Sequence, residues 1–502
     1  MKSLSSFLIV LAVLIGCSPK STDVKEQTDS GPFLHGVASG DPLYDRVIIW
    51  TRVTPESPAD SVVVSWEVSE DQWFKSSLIS GQVVTDAGRD FTVKVDVANL
   101  QSGTPYYYRF KSAGSFSPIG RTKTAAQNAD SLRFAVVSCS NYEWGYFTAY
   151  QKIAEKELLD AVVHLGDYIY EYAPGGYGDT TIGRKHEPPH ELLTLSDYRT
   201  RYAQYRSDPD LQAMHASHPF IAIWDDHEIA NDVYTSGAQN HQEHEGSFEE
   251  RKRAAVQTYY EWMPIREADK LYRSFEFGEL AELIMLDERL EGRTAPVASI
   301  SDENFNSPDR SMLGADQLSW LKSTIEGSEA RWKVIGNQVI FSDINQTMVF
   351  PDNPKNLDSW DGYPAEKKEV ARFIKDFDNI LWVTGDTHAS WVMETIVADV
   401  SLAPLGVEFG TPSISSANYD EYSGLDTARM YENLFQNFNP HIKYANLTEH
   451  GYFLLTLQKE RATARYYFVE NIRVPNAAEG RPKEFWVNDG APVIKQYNVY
   501  GF

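Results

Sequence analysis

The chain has 502 residues, 42% of them apolar, and a formal charge of −25. That length exceeds one compact core and the composition is that of a folded protein, so two globular units are expected and a disordered chain is excluded. The acidic surplus argues against a nucleic-acid partner, whose phosphates such a field repels, but leaves small anionic substrates open where metal ions reverse the local sign.

The first segment, "MKSLSSFLIVLAVLIGC", has one lysine and then an apolar run ending in small residues. This is the layout of a secretory signal, too short for a good spanning helix. Its end, "LIGC", looks like a bacterial lipobox. Residues 1–17 therefore read as a lipoprotein signal with Cys17 as the lipidated residue, an ordinary signal peptide being the blander alternative. Residues 18–30, "SPKSTDVKEQTDS", have the composition of a flexible tether. The protein is expected to be exported and held on the periplasmic or cell-surface face of a membrane. The other cysteine, Cys139, then has no disulfide partner and must be either buried and inert or bound to something.

Residues 31–126 read as all-β. "DRVIIWTRV", "SVVVSWEVS", "QVVTDAGRDFTVKVDVANL" and "TPYYYRFKSAG" are short β-branched and aromatic runs parted by turn residues, with "DAG" placed like a hairpin turn. They predict a small N-terminal β-sandwich domain. From residue 131 to about 470 the rhythm changes to buried-type strands alternating with helices. The strands are "RFAVVSC", "AVVHLGD", "PFIAIWDDH", "LAELIMLDE", "RWKVIGNQ" and "NILWVTGDTH"; the helices include "SDYRTRYAQYR" and "GADQLSWLKSTIE". This is an α/β layered unit, followed by a C-terminal extension, residues 471–502, of open role.

Four of these strands end in chemistry-bearing groups: Cys139 and Asn141; Asp167 and Tyr170; Asp225, Asp226 and His227; Asp386 and His388. In an open α/β sheet such ends converge on one rim, where ligands bind. Each residue alone has a plain explanation: helix cap, half-buried ring, small core side chain. Together they are metal ligands. Carboxylates grouped without Lys or Arg partners raise one another's pKa steeply, and cations remove that cost. Thiolate and phenolate favour a ferric-type ion, while carboxylates with an amide oxygen suit a harder divalent ion beside it. Asp167 is read as bridging two metals, with Tyr170 capping one of them.

The blocks "HGVASGDPLYDRVIIWTRV", "SCSNY", "HLGDYIYEY", "TLSDYRTRYAQYRSDPDLQAMHASHPFIAIWDDHEIAND", "LGADQLSWLKSTIE", "WKVIGNQVIFS" and "VTGDTHAS" resemble, in order, those of the PhoD-like alkaline phosphatases and phosphodiesterases. The resemblance implies a calcineurin-like metallophosphoesterase unit, a four-layer αββα sandwich of α/β (α+β) class, preceded by the small β-domain. It implies a site of ferric iron and calcium, with zinc, manganese, magnesium or cobalt as alternatives. The iron ligands would be Cys139, Asp167, Tyr170 and His388. Calcium would share Asp167 and be held by Asp226 and Asp386, with Asp225 as a possible replacement for Asp226. Asn231, in "HEIAND", matches a polar position near the second metal or the phosphate. His227 faces the substrate or orients a carboxylate.

The implied activity is hydrolysis of small phosphate esters by a metal-activated water, without a covalent serine intermediate. Two alternatives stand beside it: a phosphodiesterase or phospholipase D-type hydrolase on the same site, and a non-catalytic lipid-anchored binding protein. A monomer is expected. "YAPGGYGDTTIGRKHEPPHE" and "TSGAQNHQEHEGS" are expected to rim the pocket. Their His186, His190, His241 and His244 read as solvated loop residues, and Arg184 and Lys185 as surface charges within reach of a phosphate.

Overall fold

A computed structural model of the chain describes residues 31–55, 60–76 and 79–496. The expected signal segment, the tether and Cys17 lie outside the described residues. Among the described residues no helix is long and apolar enough to cross a membrane.

Two sheets, of ten and seven strands, pack face to face. At the centre of the first lie three parallel strands, Ser131–Val137, Ala161–His164 and Pro219–Ala222. The second is built on parallel strands Ala281–Met285, Trp332–Asn337, Ile380–Thr384 and Val407–Gly410. These are the continuous apolar runs of the sequence. Such strands are buried on both faces, so neither face can be polar. Leu283, Val334, Leu381 and Val383 point into the core shared by the two sheets. Their neighbours Ile284, Ile335, Ile380 and Trp382 point the other way, under helices Gly314–Gly327 and Pro364–Ile374. Phe134 meets Phe277 across the sheets, with ring centres 5.1 Å apart.

Helices Leu195–Arg206, Pro209–Ser217 and Phe248–Trp262 cover the outer face of the first sheet. His215 packs on Phe220 at 4.6 Å and Trp262 on Trp50 at 5.8 Å. The result is the expected αββα sandwich.

The N-terminal strands form two layers around their own core, which includes Phe33, Val47, Val64, Tyr108 and Phe110. One of these layers is continuous with the large sheet: Val37–Gly40 pairs in parallel with Pro219–Ala222, Ser39 opposite Pro219. The "DAG" stretch is not a hairpin. The strands on either side of it, Ile79–Thr85 and Thr92–Ala98, pair with Val62–Ser69 and Arg46–Arg52, in different sheets. Asp90 and Phe91, both in the left-handed region, turn the chain from one layer to the other. The C-terminal extension adds strands Lys483–Asn488 and Ala491–Gln496 to the edge of the ten-stranded sheet.

Candidate active site

The carboxyl ends of the central strands of both sheets meet at one pocket of about 220 Å3, lined by Asp167, Tyr172, Tyr177, Asp226, His227, Asn231, Asp232, Asp386 and His388. A wider cleft beside Arg89, Tyr260 and Glu267 lacks such a convergence of ligand groups.

The local backbone is forced into unusual conformations to achieve this. Cys139, Asp167, Asp232, Asp386 and His388 all have φ between 51° and 63°, a region that costs a non-glycine residue about 1 kcal/mol or more. Gly166 explains the glycine in "HLGD". Its φ is +105°, and a Cβ there would stand 2.2 Å from the Cβ of Asp225. Only glycine lets the turn bearing Asp167 pass the turn bearing Asp225 and Asp226. Glu228 ties the same two turns, accepting the amides of Asp167 at 3.0 Å and Asp225 at 2.9 Å.

Three overlapping groups of side chains bring their ligand atoms within 4.8 Å of one another: Cys139, Asp167 and His388; Asp167, Asp226 and His227; Asp225, Asp226 and Asp386. Tyr170 donates to Asp167 Oδ2 at 3.0 Å and lies 3.3 Å from His388 Nε2, and Ser416 Oγ donates to the phenol at 2.6 Å. His227 Nδ1 is 2.7 Å from Glu171 Oε2. The other oxygen of Glu171 accepts the Asn231 amide at 2.9 Å and Asn240 Nδ2 at 2.8 Å.

The sequence reading of carboxylates grouped without Lys or Arg partners is corrected here: they have a buried arginine among them. Arg289, fully buried, donates to Asp225, to Asp358 at 2.6 Å and to Asp386 at 3.4 Å. Its signal was available. "LIMLDERL" ends a central strand like the other four, but its ionic groups were not placed on the rim. Glu171, Glu228, Tyr177 and Asp358 were also missed. Asp358 sits in a long loop with no pattern to mark it.

One arginine does not balance the cluster. Burial raises Asp167 and Asp386 well above the usual carboxylate range, and neighbouring carboxylates add to the effect. Burial, then Asp167, raises the Cys139 thiol. Burial opposes charge on His227, but Asp226, Glu171 and Asp167 hold its pKa well above the ordinary imidazole value. Asp225 Oδ2 and Asp226 Oδ1 are buried without a hydrogen-bond partner. Unmatched buried acceptors beside thiol, phenol and imidazole form a donor set that fits metal cations. Asp225 lies behind Asp226, one oxygen taken by Arg289; Asp226 lines the pocket.

The loops divide. Tyr177 joins the pocket wall, with Asn141 Nδ2 holding its carbonyl at 2.9 Å. Gln239 lies 3.1 Å from Asn231. His190 and His244 are exposed. His186, expected in solvent, is buried and stacks on Tyr205. His241 is half-buried near Glu245. Arg184 pairs with Asp208 at 2.9 Å and lies on Tyr142 rather than facing a phosphate; Lys185 is exposed.

Known proteins resemble this chain over most of its length. The profile described as PhoD-like phosphatase matches residues 134–466, and that of the PhoD-like phosphatase N-terminal domain matches residues 16–126. Alkaline phosphatase D of Bacillus subtilis (strain 168) is 38% identical over 478 residues, spanning 89% of this chain and 79% of that protein. The solved structure titled "Structure of PhoD" superposes with a TM-score of 0.85 at 34% identity, covering 94% of this chain and 93% of the other.

Proposed function

The chain belongs to the PhoD-like phosphatase family and is a phosphoric ester hydrolase, and on that premise we propose that it cleaves small phosphate esters in the acidic pocket by direct attack of water, using ferric iron beside calcium. The observation that carries this is the overlap of the three ligand groups, with Asp167 common to two of them. Bound there, the cations offset charge on the phosphoryl oxygens and bring the pKa of water down toward neutrality.

Cys139, Asp167, Tyr170 and His388 would hold the iron. Asp167, Asp226 and Asp386 would hold the calcium, while Asp225 fixes Arg289 behind them. His227, with Nδ1 on Glu171, presents Nε2 to the substrate oxygens, and Asn231 positions the phosphoryl head from the pocket wall. No Ser, Thr or Cys is among the pocket-lining residues, which supports a route without a covalent intermediate.

A second reading, hydrolysis of diesters, is favoured by one observation. No Lys or Arg lines the pocket, and Asp232 adds a carboxylate. A singly charged diester head suits such a wall better than a doubly charged monoester. Relative rates on p-nitrophenyl phosphate and bis-p-nitrophenyl phosphate separate the two.

The test is elemental analysis, an absorption spectrum and ester hydrolysis on one chelator-free preparation. Iron and calcium in a coloured, active protein are expected, with Asp167→Asn losing metal and about 10²-fold or more of the activity. Undiminished metal in Asp167→Asn would sink the shared-ligand assignment. A colourless, iron-free active protein would remove Cys139 and Tyr170 from it. The protein is further proposed to act outside the cytoplasm as a monomer tethered through Cys17; Cys17→Ser is then expected in the soluble rather than the membrane fraction.

A further inference from the structure

The pocket, about 220 Å3, is small beside the ~300–1,000 Å3 of a site that encloses a whole ligand. It takes a phosphoryl head, and the organic group of the ester has to leave through the mouth. Around the lining residue Tyr177, aromatic rings from three different strand ends meet. Tyr172 and Tyr177 line the pocket. Trp144, on the loop after Cys139, stands edge-on to both Tyr177 and Tyr422, with ring centres 6.3 Å from each. Tyr422 is 63% exposed, and its hydroxyl meets that of Tyr177. Trp144 Nε1 is buried without an acceptor.

The wall is pre-set. Asn141 grips the Tyr177 carbonyl and Glu143 Oε2 accepts the Gly175 amide at 2.8 Å. A Cβ on Gly178 would lie 2.2 Å from Glu143 Oε2, so the loop is pressed against that carboxylate. Arg201 holds the Tyr172 carbonyl at 3.0 Å. Aromatic side chains held this way offer flat apolar area at little entropic cost on binding.

We propose that Trp144, Tyr172, Tyr177 and Tyr422 form a stacking subsite for the organic group of the substrate, so that the preferred esters are small and carry an aromatic or heteroaromatic ring close to the phosphate. The proposal rests on the phosphatase reading of the pocket. With no Lys or Arg in the lining, selection falls to ring stacking rather than charge. The overall charge of −25 disfavours polymeric nucleotides, which leaves monomeric esters.

Calorimetric binding of phenylphosphonate and methylphosphonate to the metal-bound protein as purified tests this. Their carbon–phosphorus bonds keep binding separate from turnover. Phenylphosphonate is expected to bind on the order of tenfold tighter. Tyr422→Ala lowers the ratio to about two or less, whereas Tyr422→Phe keeps it. Trp73→Ala, at a tryptophan 68% exposed on the N-terminal unit, leaves the ratio unmoved. Equal affinities, no binding of either compound, or a ratio indifferent to Tyr422→Ala overturns the proposal. A high ratio without turnover of any phosphate ester would keep the subsite and overturn the hydrolase reading; turnover with a ratio of one would do the reverse.

Discussion

Gly166 and Arg289 show how single residues make room for, and partly neutralise, a crowded acidic centre. Gly166→Ala adds a methyl where a Cβ has 2.2 Å to Asp225, at a φ of +105°. The turns bearing Asp167 and Asp225 must separate. Metal content and activity are expected to fall together, activity by about tenfold or more, with stability reduced by about 2–4 kcal/mol. Normal metal content in a folded Gly166→Ala protein would show that the two turns are not spaced by this contact. Arg289→Met leaves Asp225 and Asp386 uncompensated, while Asp358 keeps Arg293. In chelator it is expected to cost about 3–5 kcal/mol in urea unfolding, and added calcium recovers part of the loss. Equal losses with and without calcium would mean that the arginine is not balancing the metal-side carboxylates.

At the scale of elements, helix Leu195–Arg206 is more than a cover for the sheet. Thr194 and Asp197 form a reciprocal capping box at its start, and Arg201 on its buried face holds the carbonyls of Tyr170 and Tyr172. The cap therefore steadies the pocket's aromatic side. Thr194→Ala is expected to lower stability by about 1 kcal/mol, measured as a shift of the urea midpoint at constant slope. This helix, and the strands that carry Cys139, Asp167, Asp226 and Asp386, were legible because continuous apolar runs and a segment free of Gly and Pro are local signals. Convergence of their ends was legible because strand topology makes it general. The partners that cross between elements were not. Asp358 reaches Arg289 from a loop, His186 is buried by an unpredictable loop path, and the residues around "DAG" look like a hairpin until left-handed Asp90 and Phe91 send the next strand to another sheet.

Over the whole molecule, several histidines are held neutral. Burial lowers His164 to about 3 and His218 to about 4; burial, then Arg52, lowers His35 to about 3. His218 Nδ1 accepts the Leu159 amide and its Nε2 donates to the Ile153 carbonyl, at 3.2 and 2.9 Å, a pattern only the neutral ring can make. The unfolded chain protonates these rings below about pH 6.5 while the folded one does not. Their contribution is complete above that value and is lost as pH falls toward 4, each adding a slope of up to about 1.4 kcal/mol per pH unit. Urea midpoints measured between pH 7 and 4 should fall, and His218→Gln should flatten the fall; an unchanged slope would place the acid sensitivity elsewhere.

The pairing of Ser39 with Pro219 makes the first-synthesised unit a keystone. Half of the pocket floor hangs from Pro219–Ala222, whose outer side is closed by a strand from the far end of the chain. Closing so long a loop is slow and entropically costly, so the reactive centre is completed late in folding. Cutting away residues 31–126 would leave a bare edge in the middle of the sheet, and aggregation of the remainder, rather than a smaller working enzyme, is the expected result.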